Sequence, residues 1–304
     1  MEVGNFEFQY AEALRNVLAN GIFTPDRTGK GRIRVSGQTF AFTTTDTAGN
    51  MVLPVLLGKR VFPKMAIKEM VWMLSGMTNV HFLREHGVTY WDEWADEKGE
   101  LGPVYGHQFR NFNGFDQLAY IARNLRTNWT STQMLINLWN GADLSKMALP
   151  PCHFSYFFQA LAREEDEVPT LHIHLTQRSA DSFLGVPYNA IMVTFFLHVM
   201  AMYAGMKPGN VYWTLHDFHI YNNHLEQVNE YLNNFEENKY GNIGDGMEYN
   251  FDEQSKMYLK ENHELNMVHP LDNFFVYCSK MKFKNITVVT PEERYGVIEA
   301  EIAV

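Results

Sequence analysis

Apolar and polar residues recur along this chain with both helical and strand periods, in no regular order. Helical spacing of apolar positions predicts helices at residues 6–20, 66–75, 116–125, 188–204 and 220–235. Alternation, or a short aromatic run of strand length, predicts strands at residues 32–43, 134–139, 153–160, 170–177, 210–215 and 283–289. Because helices and strands do not alternate, the pattern favours an α+β fold, with a large mixed β-sheet flanked by helices, over a doubly wound fold.

Two segments interrupt this pattern. Gly37 lies inside the strand predicted at residues 32–43, and a glycine within a strand suggests a β-bulge. Residues 236–266 are polar and rich in asparagine, which indicates an irregular surface insertion. No repeat and no Pro/Ser-rich linker divides the chain, so residues 1–304 are expected to form a single domain.

Composition narrows the class of ligand. Hydrophobic residues make up 46% of the 304 residues and aromatic residues 14%, which is enough for a substantial core. The net charge of −10 argues against nucleic acid as a partner, because nucleic-acid binding needs a basic surface. A few converging arginines can still bind a small anion. The charge therefore favours a small-molecule ligand.

The number of cysteines and the hydropathy of the chain indicate in which part of the cell the protein is located. The chain has two cysteines, Cys152 and Cys278, which are too few for a disulfide framework. Residues 1–10 are acidic and aromatic, unlike a signal peptide. The apolar run at residues 191–204 is shorter than a membrane span and contains His198. These features predict a cytoplasmic protein with no membrane association.

Cys152 is the first candidate for chemistry. Two prolines precede it and His153 follows it. A thiol becomes a nucleophile when nearby positive charge or a base lowers its pKa. An isolated Cys-His pair is more often a buried structural cysteine beside a histidine, so this feature needs support from elsewhere in the chain.

Two further segments carry groups that suit a nucleotide. An arginine and a hydroxyl follow a predicted strand at residues 177–181 (QRSAD), where they can bind phosphate oxygens. Asn189, at the head of the long apolar helix, offers a donor and an acceptor, which suit the imide edge of uracil. His219 and Tyr221 share a face of a short extended segment and can meet one sugar hydroxyl. Each feature has an ordinary alternative, namely a surface arginine, a capping asparagine, or a core histidine beside an aromatic filler.

Together these segments resemble the thymidylate synthase family, and the resemblance covers nearly the whole chain. Many short phrases of that family occur here in the family's order, which makes the resemblance specific. They include DRTG at 26–29, KR at 59–60, WDEWAD at 91–96, LGPVYG at 101–106, WN at 139–140, MALPPCH at 147–153, QRSAD at 177–181, FLGVPYN at 183–189, HIYNNH at 219–224 and IAV at 302–304.

The resemblance implies a covalent mechanism on a pyrimidine nucleotide. Cys152 adds to C6 of dUMP, and C5 then attacks the methylene of 5,10-methylenetetrahydrofolate, which is a co-substrate; no metal is implied. Arg178 both binds the nucleotide phosphate and polarises the thiolate. The other nucleotide ligands that the resemblance implies are Arg27 and Ser179 at the phosphate, Asn189 at the uracil edge, and His219 with Tyr221 at the 3′-hydroxyl.

The resemblance also implies a folate site, a proton path and a homodimer. Glu69 organises water for proton transfer, and as a carboxylate on an otherwise apolar helix it is expected to have a raised pKa. Tyr105 and His153 line the reacting centre, and Asp181 contacts the pterin as part of the catalytic set. The remaining folate contacts are Lys59, Trp91, Trp94, Gly185, Tyr188, Ala303 and Val304. The last two belong to a tail that closes over the site.

The chain departs from the family at several positions. Thr132 and Gln133 stand where the family carries paired arginines that reach the phosphate of the partner subunit, and Arg126 is a candidate substitute. His216 replaces a usual glycine, and Phe62 replaces a frequent histidine. These differences do not affect the predicted fold. They leave more than one substrate and product compatible with the sequence.

Three functions are therefore in competition. The principal interpretation is reductive methylation of dUMP to dTMP, which Asn189 and the tail at residues 302–304 favour, because tail closure keeps water from the intermediate. The sibling reaction is 5-hydroxymethylation of dUMP or a related pyrimidine nucleotide, in which water attacks the same intermediate. An inactive nucleotide-binding homologue is the third alternative, which the presence of Cys152, Glu69 and Asn189 disfavours.

Overall fold

The structure is a computed structural model that describes residues 3–26, 29–238, 247–251, 286–288 and 298–300. Its α-helices are α1 (Phe6–Asn20), α2 (Pro63–Leu74), α3 (His81–Glu85), α4 (Tyr105–Arg110), α5 (Gln117–Thr127), α6 (Gly185–Ala204) and α7 (Leu225–Asn238). Its strands are β1 (Ile22–Thr24), β2 (Arg32–Thr43), β3 (Val52–Leu53), β4 (Leu135–Asn137), β5 (His153–Leu161), β6 (Thr170–Asp181), β7 (Lys207–Tyr221), β8 (Met247–Phe251) and β9 (Ile286–Val288).

A six-stranded mixed sheet forms the centre of the protein, with the strand order β1-β2-β7-β6-β5-β4. Neighbouring strands are antiparallel except for β6 and β7, which run parallel. Helix α6 connects this parallel pair, which needs a long crossover. A smaller sheet has the order β3-β8-β9. The predicted mixed sheet flanked by helices is confirmed.

Helix α6 lies in the core because it is apolar on every side. Most of its side chains are buried, and it packs against α2, β6 and β7. Gly205 follows it with a φ of 70°, a left-handed conformation that glycine adopts at low cost. The helix is longer than the apolar run noted in the sequence, and its 20 residues are long and apolar enough to cross a membrane. However, 78% of its apolar window is buried within the protein, as in a core helix.

Helix α1 has the predicted bounds because both of its ends carry local signals. The Asn5 side chain accepts the backbone N–H groups of Glu7 and Phe8, which caps the first turn. At the other end the Gly21 N–H donates to the Val17 carbonyl at 2.8 Å. A Cβ on Gly21 would lie 2.4 Å from that same oxygen. Glycine is therefore required at this close approach.

Strands β6 and β7 are longer than the alternation predicted. Strand β6 continues through Asp181 and β7 through Tyr221. The helix predicted at residues 220–235 therefore begins later, at Leu225. Its first two predicted residues pair with β2 instead, where the ladder satisfies their backbone hydrogen-bonding groups.

The interruption expected at Gly37 is present, but no residue is inserted there. Ser36 lies opposite Asp217 and Gln38 lies opposite Leu215, so β2 and β7 keep one register on both sides of the glycine. Gly37 itself has a φ of 82°, in the left-handed region that favours glycine. The expected bulge is thus a local irregularity of the ladder without an extra residue.

The polar segment expected to be irregular contains regular structure in its described parts. Helix α7 extends to Asn238, and β8 pairs with both β3 and β9. Strand β9 lies within the strand predicted at residues 283–289. The rest of residues 236–266 and Cys278 lie outside the described residues. The expectation of one domain over residues 1–304 stays a prediction.

Candidate active site

Cys152 lies at the junction between a proline pair and strand β5. Its backbone N–H donates to the Tyr105 hydroxyl oxygen at 2.7 Å, and its carbonyl accepts the Arg178 N–H at 2.8 Å. Immediately afterwards, the pairing of β5 with β6 shifts register between His153 and Ser155. Irregularities of this kind redirect side chains at the edge of a sheet. The side chain of Cys152 is a half-buried thiol.

Backbone carbonyls hold the Arg178 guanidinium beside this thiol. Its Nε donates to the Pro151 carbonyl at 2.9 Å, and a terminal nitrogen donates to the Pro150 carbonyl at 2.8 Å. The same terminal nitrogen lies 3.8 Å from the Cys152 Sγ. Positive charge fixed at this position favours the thiolate over the thiol. Arg178 therefore lies where a cation would stabilise a cysteine nucleophile.

His153 is buried and uncharged, so it does not supply this charge. Burial lowers the pKa of its imidazole to about 3. The ring stacks on Tyr105 with the two centroids 4.5 Å apart, and its Nδ1 shares a hydrogen bond with the Tyr156 hydroxyl. The predicted role of His153 is to line the reacting centre. The structure places it beside Cys152 as a neutral aromatic ring.

Glu69 is a buried carboxylate on α2. One of its oxygens accepts the Trp91 indole N–H at 2.8 Å, and the other accepts the Tyr90 hydroxyl. Burial raises the pKa of Glu69, although both of these hydrogen bonds act in the opposite direction. The raised pKa predicted for this residue is confirmed. A carboxyl group with a raised pKa holds its proton to higher pH than an exposed one, which suits a group that transfers protons.

Aromatic rings connect Glu69 to the surroundings of Cys152. The Trp91 ring lies 6.0 Å from the Tyr105 ring, centroid to centroid. Burial raises the pKa of Tyr105 well above its ordinary value, and the neighbouring Cys152 adds a smaller shift in the same direction. Burial likewise raises the pKa of Tyr188, to which the Glu69 charge contributes. The predicted nucleophile, the predicted carboxylate and two predicted folate contacts thus belong to one cluster.

Asn189 is oriented by a neighbour on β6. Its side-chain nitrogen donates to the Gln177 Oε1 at 3.3 Å, and the Gln177 Nε2 donates to the Ser179 carbonyl at 2.8 Å. Gln177 is buried, so these bonds fix its amide. The contact engages one N–H of Asn189, whose amide has a second N–H and an acceptor oxygen to offer a ligand.

Lys59 and Asp181 meet at the turn that begins α6. The Asp181 carboxylate accepts the backbone N–H groups of Phe183 and Leu184 at 3.0 and 3.2 Å. Lys59 donates to the Phe183 carbonyl and lies 3.5 Å from the centre of the Phe183 ring. Burial lowers the pKa of Lys59 to about 7, although the Asp181 charge opposes this shift. Both residues stabilise the end of α6 at which a folate contact was predicted.

His219 and Tyr221 lie side by side on β7, with their ring centroids 5.1 Å apart. The His219 Nδ1 lies 3.2 Å from the Asp217 carbonyl and 3.4 Å from the Asp217 carboxylate. Because Nδ1 faces Asp217, Nε2 is the ring nitrogen for a ligand. In the parallel register Asp217 lies opposite Ser179, which brings the predicted sugar and phosphate ligands to neighbouring strands.

The other predicted site residues have simpler placements. Trp94 is half-buried, with its ring 5.8 Å from that of Trp91. Gly185 is the first residue of α6. Among the residues that the structure describes, no group of three or more His, Cys, Asp or Glu side chains is arranged to hold a metal ion. The predicted site residues that lie outside the described ranges are Arg27, Ala303 and Val304.

Comparison of the sequence with known protein families identifies the family of this chain. The family model described as Thymidylate synthase matches residues 8–252 of the 304. The chain belongs to the thymidylate synthase family. Members of the thymidylate synthase family use methylenetetrahydrofolate as a co-substrate. At the level of the family, the chain is a transferase of methyl or hydroxymethyl groups to C5 of a pyrimidine.

Two residues with no predicted role hold predicted residues of this thymidylate-synthase-type site in place. Tyr90 binds Glu69, and Gln177 orients Asn189. Gln177 occupies an inward position in the alternation of β6, where the preceding inward residues are apolar. A polar residue at such a position was the available signal, because buried amides need partners.

The structure also shows where some of the residues that differ from the thymidylate synthase family lie. Thr132 and Gln133 are exposed. Arg126 donates to the Tyr203 carbonyl at 3.0 and 2.7 Å, near the C-terminal end of α6. At the helical rise of 1.5 Å per residue this carbonyl lies about 20 Å along α6 from Asn189. Within one chain, Arg126 is therefore far from the predicted nucleotide ligand Asn189, and its role towards the partner subunit stays a prediction.

Proposed function

We propose that the protein reductively methylates dUMP to dTMP with 5,10-methylenetetrahydrofolate, using Cys152 as the nucleophile. The observation that carries the proposal is the half-buried Cys152 thiol, whose sulfur lies 3.8 Å from the Arg178 guanidinium. The backbone of Cys152 is fixed at both its N–H and its carbonyl. A nucleophile that lies beside a fixed cation and whose backbone is already held in place has little freedom left to lose in the reaction.

The covalent route splits one difficult substitution into easier steps. The Cys152 thiolate forms a bond to C6 of the uracil, and the electron pair of the C5–C6 double bond moves towards O4. The nucleophilic C5 then bonds to the folate methylene as the first of the two bonds between that carbon and the folate nitrogens breaks. Loss of the C5 proton and cleavage of the second bond between the methylene and a folate nitrogen leave an exocyclic methylene and free tetrahydrofolate. A hydride from tetrahydrofolate reduces this group, Cys152 departs, and dihydrofolate is the second product.

Three side chains take the central supporting roles. Arg178 stabilises the thiolate and contacts the phosphate, Asn189 reads the imide edge of uracil, and Glu69 relays the proton that leaves C5. We assign nucleotide contacts also to Arg27, Ser179, His219 and Tyr221. We assign the folate site to Lys59, Trp91, Trp94, Asp181, Gly185, Tyr188, Ala303 and Val304.

The aromatic lining of the site is the observation that supports reduction over hydration in this proposal. Trp91 and Tyr105 are 5% and 3% exposed, so an aromatic wall lies between Glu69 and Cys152. Exclusion of water protects a reactive methylene from attack by solvent. This wall supports the methyl product over the hydroxymethyl product.

The fate of the folate tests the proposal. The protein is incubated with dUMP and methylenetetrahydrofolate in water enriched in oxygen-18, and dihydrofolate is measured per nucleotide consumed. The expected result is one dihydrofolate per thymidylate and no heavy oxygen in the nucleotide. A labelled 5-hydroxymethyl nucleotide without dihydrofolate would show hydroxymethylation, and an unchanged nucleotide would show a binding protein. Truncation of Val304 should impair reduction more than nucleotide binding, because tail closure acts after the covalent complex has formed.

We propose that the active form is a cytoplasmic homodimer. Leu135, Trp139 and Leu161 lie on or beside strands β4 and β5 and are 52%, 39% and 53% exposed. Exposed large apolar side chains on two neighbouring strands support a surface that another protein covers. Light scattering after size exclusion should give a dimer for the wild type, and Leu135→Asp should shift it towards monomer.

A further inference from the structure

Two arginines on β2 converge on one carboxylate beside the proposed nucleotide site. Arg32 and Arg34 each place a terminal nitrogen 3.2 Å from the same oxygen of Asp217. Although burial acts in the opposite direction, His219 and the two arginines hold the pKa of Asp217 below its ordinary value. The carboxylate is therefore ionised, and it balances only one of the two guanidinium charges.

The strand register places these arginines near the proposed phosphate ligand. Arg34 lies opposite His219, and Asp217 lies opposite Ser179 on the next strand. Residues directly opposite on neighbouring strands share a face of the sheet, and neighbouring strands lie about 4.8 Å apart. Strand β2 is thus about 10 Å from the strand that carries Ser179. Both guanidiniums already extend from β2 to Asp217, which covers about half of that distance.

Both guanidinium groups can also bind an anion, one through an unpaired N–H donor and the other through its exposure to solvent. The Arg32 Nε is buried and has no hydrogen-bond partner among the described residues. The Arg34 side chain is 39% exposed, so solvent and small ligands reach it. A guanidinium offers five N–H donors in a fork that matches phosphate oxygens. A phosphate at this position would satisfy a buried donor that is otherwise costly to leave unpaired.

We propose that Arg32 and Arg34 form a phosphate subsite beside Ser179, supplied by the same chain that holds the nucleotide. The inference rests on the proposed function, because the ligand is the 5′-phosphate of the pyrimidine nucleotide. The subsite places two guanidinium groups, with one net positive charge beside Asp217, near the phosphate. Thr132 and Gln133, at the positions of the family's partner-reaching arginines, are uncharged.

A purely structural role is the competing explanation. In that case the two arginines only neutralise Asp217, which in turn orients His219. Damage to this network would weaken binding of the whole nucleoside, with or without a phosphate. A phosphate subsite would weaken binding of the phosphorylated ligand alone. The dissociation constants of dUMP and deoxyuridine therefore separate the two explanations.

The experiment compares three full-length proteins by calorimetric titration with dUMP and with deoxyuridine. They are the wild type, the double variant Arg32→Gln/Arg34→Gln, and the control Arg15→Gln. Arg15 is also paired with carboxylates, those of Glu12 and Glu236, and is 32% exposed. In the double variant dUMP should bind about 10- to 100-fold more weakly, as expected for lost charged hydrogen bonds. Binding of deoxyuridine should change less than about threefold, and the control should bind both ligands like the wild type.

Two further measurements distinguish the phosphate subsite from a purely structural role. Inorganic phosphate, as a competitor of dUMP, gives the same comparison if deoxyuridine binds too weakly to measure. Adding Asp217→Asn to the double variant should leave dUMP binding weak, because the lost phosphate ligands are not restored.

Several outcomes would overturn the subsite. They are an unchanged affinity for dUMP, an equal loss for dUMP and deoxyuridine, and recovery of dUMP binding on addition of Asp217→Asn. A wild type that binds neither dUMP nor deoxyuridine would instead refute the proposed function, and the subsite with it.

Discussion

The Tyr105 hydroxyl accepts the backbone N–H of Cys152 at 2.7 Å, and this bond ties the proposed nucleophile to the start of α4. Tyr105 is buried, so water does not readily replace it as the acceptor. The Cys152 carbonyl is held by the Arg178 N–H from the other side. Two separate elements therefore fix the backbone from which the sulfur projects.

Tyr105→Phe should lower kcat about tenfold and destabilise the protein by about 1–3 kcal/mol, because it leaves the Cys152 N–H without its acceptor. Turnover and urea unfolding measure the two effects. Tyr231→Phe is the matched control, since Tyr231 is equally buried and its hydroxyl donates to Glu7 at 3.2 Å. The control should lose stability and keep kcat. A Tyr105→Phe protein with the wild-type kcat would show that this bond does not position the nucleophile.

Cys152→Ala should abolish both turnover and the covalent complex with 5-fluoro-dUMP and methylenetetrahydrofolate. The reason is that only a sulfur at this position can bond to C6 beside Arg178. Mass spectrometry of the intact protein detects the complex. Cys278→Ala serves as the thiol control and should retain both properties. Wild-type turnover by Cys152→Ala would end the covalent mechanism.

Glu69→Gln should lower kcat about 100- to 1,000-fold, the usual range for loss of a proton-transferring group. It should also change the dependence of stability on pH. Burial raises the pKa of Glu69 in the folded state above the unfolded value of 4.5. The folded state therefore binds more protons in the window above 4.5, and the wild type loses stability relative to Glu69→Gln as pH rises through that window. Urea unfolding at a series of pH values measures the difference, and parallel curves would contradict the raised pKa.

Local signals explain which parts of the fold could be predicted from the sequence. Helix α1 has its predicted bounds because Asn5 and Gly21 act within a few residues of its ends. The extension of β7 to Tyr221 could not be read locally, because its pairing partner Arg32 is far away in the sequence. There the ladder overrode a helical pattern.

The same distinction applies to the site. The motifs identified Cys152 and Asn189 as candidates, since each lies in a short recognisable phrase. They did not show that Tyr105 holds the backbone of the first or that Gln177 orients the second. These partners come together only through tertiary packing, which periodicity and spacing do not encode.

Asn189→Asp should shift the preference of the enzyme from dUMP towards dCMP by about 1–3 kcal/mol. An amide can both donate to and accept from the uracil edge, whereas a carboxylic acid or carboxylate suits a ring with an amino group. The ratio of kcat/KM for the two nucleotides measures the shift. Gln177→Ala should reduce selectivity without reversing it, because Gln177 acts through Asn189. Selectivity that does not change in Asn189→Asp would mean that another residue reads the base.

Burial of Lys59 at the start of α6 makes stability depend on pH above neutrality. The pKa of Lys59 is lowered to about 7 in the folded protein, against 10.5 for an unburied lysine. Between these two values the unfolded chain binds more protons than the folded one, so the free energy of unfolding rises with pH. From pH 7 to pH 9 this contribution amounts to about 2 kcal/mol.

Lys59→Met should remove this dependence, because methionine keeps the length of the side chain but carries no charge. Urea unfolding at pH 7, 8 and 9 should show the wild type gaining stability relative to Lys59→Met over that range. Lys207→Met, at an exposed position, should follow the wild type. Lys59→Met should also raise KM for the folate more than KM for dUMP. The reason is that Lys59 contacts the turn at Phe183 and not the residues around Cys152. Wild-type and Lys59→Met curves that stay parallel from pH 7 to pH 9 would show that Lys59 keeps its charge in the folded protein.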